Sequence, residues 1–148
     1  MKKPGLSRAR LRQLLDSMKG VRVLVAGDLI LDEYLEGDVK RISPEAPIPV
    51  LKVEGRRLAL GGAAYVAALA ASFGGRVRLA GVLGDDEAGA EFLGLAARAG
   101  LPDADIFRDG SRQTPLKTRL MARGQQLVRL DRERAEPLES ALEARLIR

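Results

Sequence analysis

Asp28, Asp32, Gly61, Gly62, Lys117 and Arg119 are the residues of this chain whose types and spacing suit chemistry. Asp28 and Asp32 follow the apolar run Val21–Ala26. Acids at the carboxyl end of such a strand are placed to accept hydrogen bonds from ligand hydroxyls. A turn-capping Asp28 and a solvated Asp32 fit the same pattern. Gly61-Gly62 opens a run of small helix formers that Gly74 closes. A helix starting there turns backbone N–H groups toward whatever lies above it, which suits hydroxyl or phosphate oxygens. Close packing at a strand-to-helix turn is the plainer use of the glycines. Lys117 and Arg119, two apart on a strand, share a face and form a compact anion site suited to phosphate. A charged solvent face satisfies that spacing equally well. Asp85-Asp86 either caps the following helix or holds magnesium, and capping is the simpler use.

Other chemistry is excluded by composition. The 148 residues contain no Cys and no His, which removes thiolate and imidazole catalysis, the usual zinc sites and a Ser-His-Asp triad. The net charge of +5 comes from scattered Arg and fits small anions. Aromatic residues are 3% of the chain, too few for stacking platforms on single-stranded nucleic acid. The basic group Lys2, Lys3, Arg8, Arg10 and Arg12 reads as the wet face of a helix, so no nucleic-acid partner is expected. Met1-Lys2-Lys3 leads into no apolar signal core, and no apolar run is long enough to cross a bilayer, so no membrane partner is expected. The lack of Cys is compatible with a cytoplasmic location. Gly84 and Gly89 have the glycine spacing of a P-loop, but Ala90-Glu91 stands where Lys-Ser/Thr is required. No Gly-x-Gly-x-x-Gly fingerprint occurs, which disfavours a dinucleotide oxidoreductase.

The elements that must carry these residues alternate between helix and strand in what reads as one domain. Ser7 caps an amphipathic helix to Met18 with Leu11, Leu14, Leu15 and Met18 as its apolar stripe, and Gly20 ends it. Val21–Ala26 reads as a buried strand. Pro44, Pro47 and Pro49 forbid a helix between Glu33 and Glu54. Short antiparallel strands are expected around 33–60, leaving the main sheet as a lid or subunit interface. The Gly61–Gly74 run reads as a buried helix facing the core with Val66, Leu69, Ala70 and Phe73. A strand at Arg76–Val82, a helix at Glu87–Ala99 and a short strand at Ala104–Phe107 follow. A hairpin around 115–131 turns at Arg123-Gly124. A last helix begins at Glu136-Pro137, with Pro at its first position.

Several of these stretches, in this order, resemble the ribokinase-like (PfkB) family of carbohydrate kinases, and within it the heptose-7-phosphate kinase branch. The stretches are Val25–Asp32, Arg41–Val50, Gly61–Ala64, Gly81–Gly89, and Lys117–Arg119 through Gln125–Asp131. Ser43-Pro44-Glu45-Ala46-Pro47 is the part most specific to the heptose branch. The resemblance implies an α/β fold, here a partial Rossmann-like sheet with flanking helices and a small β lid that often builds a homodimer. It implies ATP-dependent phosphorylation, with Mg2+, of a sugar phosphate bound between sheet and lid. By matching position, Asp32 resembles the acid that binds sugar hydroxyls, and Gly61 and Gly62 the hinge glycines facing the sugar. Lys117 and Arg119 look like candidates for holding the substrate's own phosphate. Tyr65 stands where the family usually has Asn. The family's Gly-Ala-Gly-Asp motif, which supplies the catalytic base and anion hole, does not occur here. The resemblance therefore assigns no catalytic residue and no metal ligand to this chain, and leaves most of the ATP site outside it. The chain reads as the N-terminal part of one kinase domain, inactive alone and completed by a second polypeptide or by further sequence. The reading from another class is a non-catalytic module that binds sugar phosphate or dimerises.

Overall fold

Two sheets and four helices make up the chain in a computed structural model that describes residues 6–134 and 136–147. A three-stranded parallel sheet has the order β1-β4-β5, with β1 at Arg22–Ala26, β4 at Arg76–Gly84 and β5 at Ile106–Asp109. A four-stranded mixed sheet, the lid, has the order β3-β2-β6-β7. Its strands are β2 (Leu29–Ile42), β3 (Pro49–Gly61), β6 (Leu116–Ala122) and β7 (Gln125–Arg132). β2 runs antiparallel to β3 and parallel to β6. The helices are α1 (Arg8–Met18), α2 (Gly62–Ser72), α3 (Glu87–Arg98) and α4 (Ser140–Leu146).

Leu29, Leu31, Ala64, Leu79, Leu83 and Phe92 form the core, all fully buried where α2, α3 and the base of the lid meet β4. β4 is the best-covered strand because it pairs with β1 on one side and β5 on the other. The lid strands are long, 14 residues in β2 and 13 in β3, where the sequence predicted short ones. Pro44 and Pro47 lie in the connection between them and Pro49 stands at the first position of β3, and two register irregularities let the ribbon bend while pairing continues.

Three apolar faces differ from expectation. β1 is not buried: it is an edge strand, with Leu24 63% exposed on the face opposite α2. In α2 the buried residues are Ala64 and Ala67; of the predicted stripe Ala70 packs against the core, while Val66, Leu69 and the C-cap Phe73 face outward. Small side chains let the helix approach β1 and β4 closely, so the bulky stripe takes the other side. The stripe of α1 is likewise exposed, and the helix buries no residue. Its predicted caps hold: Ser7 Oγ accepts from the Arg10 N–H at 3.2 Å, and Gly20 takes φ +74°. Lys2 and Lys3 lie outside the described residues.

The last helix begins at Ser140, three residues beyond Pro137. The Arg112 guanidinium donates to the carbonyls of Glu136 and Pro137 at 3.4 and 3.5 Å, which ties that stretch to the residues after β5 ahead of the helix.

Candidate functional site

Gly61 ends β3 and Gly62 opens α2, so the chain changes both layer and direction within two residues. Gly62 has φ +55°, and a Cβ there would lie 2.3 Å from the Asp28 carbonyl oxygen. A Cβ on Gly61 would lie 2.6 Å from Asp32 Oδ2. The two glycines thus admit the backbone under Asp28 and Asp32, which joins two of the predicted features in one place. The backbone donors expected at this helix start are partly spent: the Ala63 N–H donates to the Asp28 carbonyl at 2.9 Å. Tyr65, in the first turn of α2, is 60% exposed and is not part of the core.

Lys117 and Arg119 share one face of β6, and register sets Asp32 opposite Lys117 and Tyr34 opposite Arg119. Both cations are already paired. Arg119 Nη1 donates to Asp32 Oδ1 at 2.6 Å. Lys117 Nζ donates to Glu133 at 2.8 Å and to Asp131 at 3.2 Å. Hydrogen bonding to Glu133, then to Asp131, outweighs the effect of burial and raises the Lys117 pKa. Arg129 donates twice to Asp131, and these bonds hold its carboxyl below the ordinary value. The cluster is therefore an array of matched charges, three carboxylates (Asp32, Asp131, Glu133) against three cations (Lys117, Arg119, Arg129), and not an open cationic site. A phosphate entering here would exchange with carboxylates for the same donors.

Sequence reasoning did not find Asp131, Glu133, Tyr34 or Arg57. Arg57 packs its guanidinium 3.9 Å above the Tyr34 ring, with Arg119 at 5.2 Å. These contacts depend on the β2–β3 and β2–β6 registers, which no local pattern announces.

Beside this cluster a cleft of about 540 Å³ opens at the carboxyl ends of β1 and β4, lined by Gly27, Asp28, Gly81 and Arg112 among others. Ile30 and Glu133 line it too and connect it to the Asp32–Lys117 face. That is the rim where open α/β sheets bind ligands.

The Gly84-Asp85-Asp86 turn is structural. Asp86 Oδ1 accepts from Gly89 N–H and Oδ2 from Thr114 N–H, both at 2.8 Å, and Thr114 Oγ1 accepts from Gly84 N–H at 2.9 Å. Burial pushes the Asp86 pKa up, but these donors outweigh it and the carboxyl sits below its ordinary value. Asp85 pairs with Arg108. Among the described residues no group of acids has the arrangement of a metal site. A Cβ on Gly84 or Gly89 would come within 2.6 Å of backbone atoms, so close packing accounts for their spacing.

The family signature of pfkB carbohydrate kinases matches residues 22–146. The chain is 43% identical over 142 residues to the bifunctional protein HldE of Trichlorobacter lovleyi, covering 96% of this chain and 29% of that protein. It is 46% identical over 126 residues to the HldE of Helicobacter pylori strain P12, covering 85% and 27%. The chain thus spans less than a third of the length of these curated relatives. Fructokinase of Xylella fastidiosa, solved with bound ATP, superposes with a TM-score of 0.56 at 25% identity, covering 76% of this chain and 33% of that one. Arabidopsis thaliana ribokinase, complexed with ribose and ATP, superposes at 0.59 and 18% identity over 76% and 36%, a likeness of fold. A match over nearly the whole described chain, on a ribokinase-like α/β architecture, establishes that the chain belongs to the PfkB family of carbohydrate kinases.

Proposed function

We propose that this chain is the sugar-binding part of a heptose-phosphate kinase, whose reaction is ATP-dependent phosphorylation of heptose 7-phosphate on the way to ADP-heptose. The observation that carries the reading is the meeting of Asp32, Gly61, Lys117 and Arg119 beside the cleft at the β1 and β4 rim, in a chain 43–46% identical to two HldE proteins. In this reading Asp32 accepts hydrogen bonds from sugar hydroxyls, Gly61 and Gly62 bring backbone close to the ring, and Tyr65 borders the site. Lys117 and Arg119 take the existing phosphate once Glu133, Asp131 and Asp32 yield them.

ATP and Mg2+ belong to the full reaction. The described residues do not fit Mg2+, since both Asp86 oxygens are occupied by backbone donors and Asp85 by Arg108, so no step is routed through a metal here. No residue of this chain is given a catalytic role, and the chain alone is expected not to turn over. A second polypeptide, or further sequence of the same one, is expected to complete the sheet. The free edge of β1 and the exposed Val66, Leu69 and Phe73 of α2 support it, because an unpaired edge beside an apolar helix face favours addition of a strand and a helix. The exposed β7 edge supports a homodimer through the lid. A cytoplasmic setting goes with the nucleotide and sugar phosphate that the reaction uses.

The test is calorimetric titration of the chain with heptose 7-phosphate, with an ADP-release assay alongside. Saturable binding without ADP release, and ADP release once the remaining kinase sequence of an HldE relative is supplied, support the reading. Binding that never leads to turnover favours a second reading, a non-catalytic sugar-phosphate-binding or dimerisation module. The bulky Tyr65, at a position where an amide is usual, is the observation on its side. Absence of binding overturns both sugar readings.

A further inference from the structure

The lid carries a second cluster, on the face opposite Asp32, that the sugar-phosphate reading leaves unused. Glu33 of β2 is 7% exposed. Its Oε2 accepts from Thr118 Oγ1 of β6 at 2.6 Å, and its Oε1 from Arg56 Nε of β3 at 2.7 Å. Arg56 also reaches out of the lid: Nη1 and Nη2 donate to the two carboxylate oxygens of Glu91 on α3, at 2.6 and 3.0 Å. Register makes Glu33 and Thr118 direct neighbours and sets Arg56 diagonally across from Glu33. The Glu33 links therefore tie the lid strands to one another, and only the fork onto Glu91 crosses to the core layer. Guanidinium geometry matters here, because one flat group satisfies two carboxylates in different directions.

The position of the fork gives it leverage. The chain leaves the lid for the core at Gly61-Gly62, and Arg56 lies five residues back along β3, about 17 Å away at the usual strand rise. Leu60 packs beside that pivot and has little lever arm against rotation, and Leu58, about 10 Å out, still falls short of Arg56. A bond about 17 Å out opposes rotation directly. We propose that Arg56 is a latch that holds the lid on α3, and through it a positioning residue for Asp32 and Lys117 on the other face of the same sheet. The positioning role rests on the sugar-phosphate reading, whereas the latch itself does not.

Glu91→Gln in the full chain is the discriminating variant, since it weakens the crossing bond and leaves Arg56, Glu33 and Thr118 in place. Hydrogen–deuterium exchange should show amides of β2 and β3 opening about two- to fivefold faster, the range for one partly exposed ion pair, with β1 and β4 unchanged. Arg56→Lys, which cannot fork, should loosen the lid as well. Heptose 7-phosphate affinity should fall by a similar factor. Unchanged lid exchange in Glu91→Gln, or equal acceleration in β1 and β4, overturns the latch. A looser lid in a chain that never bound heptose 7-phosphate sustains the latch and overturns the sugar-phosphate reading instead.

Discussion

Arg119 Nη1 holds Asp32 Oδ1 at 2.6 Å across the parallel β2–β6 pair, while the other oxygen of the same carboxylate lies over Gly61. One acid thus links the hinge to the charged face of the lid. Its orientation is set by a guanidinium that a phosphate would also attract. Asp32→Asn should therefore act on binding more than on folding. The loss of a charge-assisted acceptor predicts about tenfold or greater weakening for heptose 7-phosphate, measured by calorimetry. Arg119→Met should weaken binding too, by removing both the phosphate donor and the group that orients Asp32. An Asp32→Asn chain that binds as the parent does would remove Asp32 from the site.

The two hinge glycines predict different failures. Gly62→Ala places a Cβ against the Asp28 backbone carbonyl at φ +55°, and backbone cannot step aside. The left-handed conformation alone costs about 1–2 kcal/mol, and the clash adds to it, so the melting temperature should drop by several degrees or more. Gly61→Ala meets the Asp32 carboxylate, a side chain that can rotate. It should melt closer to the parent yet lose affinity for heptose 7-phosphate. Equal thermal losses in the two variants would contradict this account.

Acid should act through Asp86. Its folded-state pKa lies below its unfolded value, because Thr114 and Gly89 donors favour the charged form more than burial disfavours it. The stability it contributes is present above the unfolded pKa, about 4, and is lost as pH falls through the lower folded value. Melting temperatures recorded from neutral pH downward should fall in that acid range. Asp86→Asn should lower stability at neutral pH and flatten the decline. A mutant that tracks the parent at every pH would show that the cap contributes nothing through its charge.

The outward face of α2 gives a prediction about association. Leu69 and Phe73 are 46% and 43% exposed and neither belongs to the buried core, so Leu69→Lys and Phe73→Lys spare the core while removing apolar surface from this face. The doubly substituted chain should keep its melting temperature within about 5 °C and scatter less light at high concentration. It should also lose binding to the remaining kinase sequence of an HldE relative, in a pull-down or by analytical ultracentrifugation. Unimpaired binding would move the partner surface elsewhere.

Local pattern was enough wherever a local rule decides the outcome. Ser7 and Asp86 cap their helices, and Gly20, Gly74 and Gly100 take positive φ where helices end. Arg123-Gly124 turns the β6–β7 hairpin with φ values of 49° and 78°. Three sequence-selected residues, Asp32, Gly61 and Arg119, meet in one place because the motifs that carry them lie on strands joined by the hinge. Tertiary structure decided which face of each element is covered. Val66, Leu69 and Phe73 have helical spacing but face outward, because periodicity says that a stripe exists and not whether a neighbour lies against it. It also decided the charge state of the site. Lys117 and Arg119 look like free cations until the strand registers bring Asp131 and Asp32 to them and the chain beyond β7 brings Glu133. Ion pairing across a sheet depends on register, and register follows from the packing of whole strands.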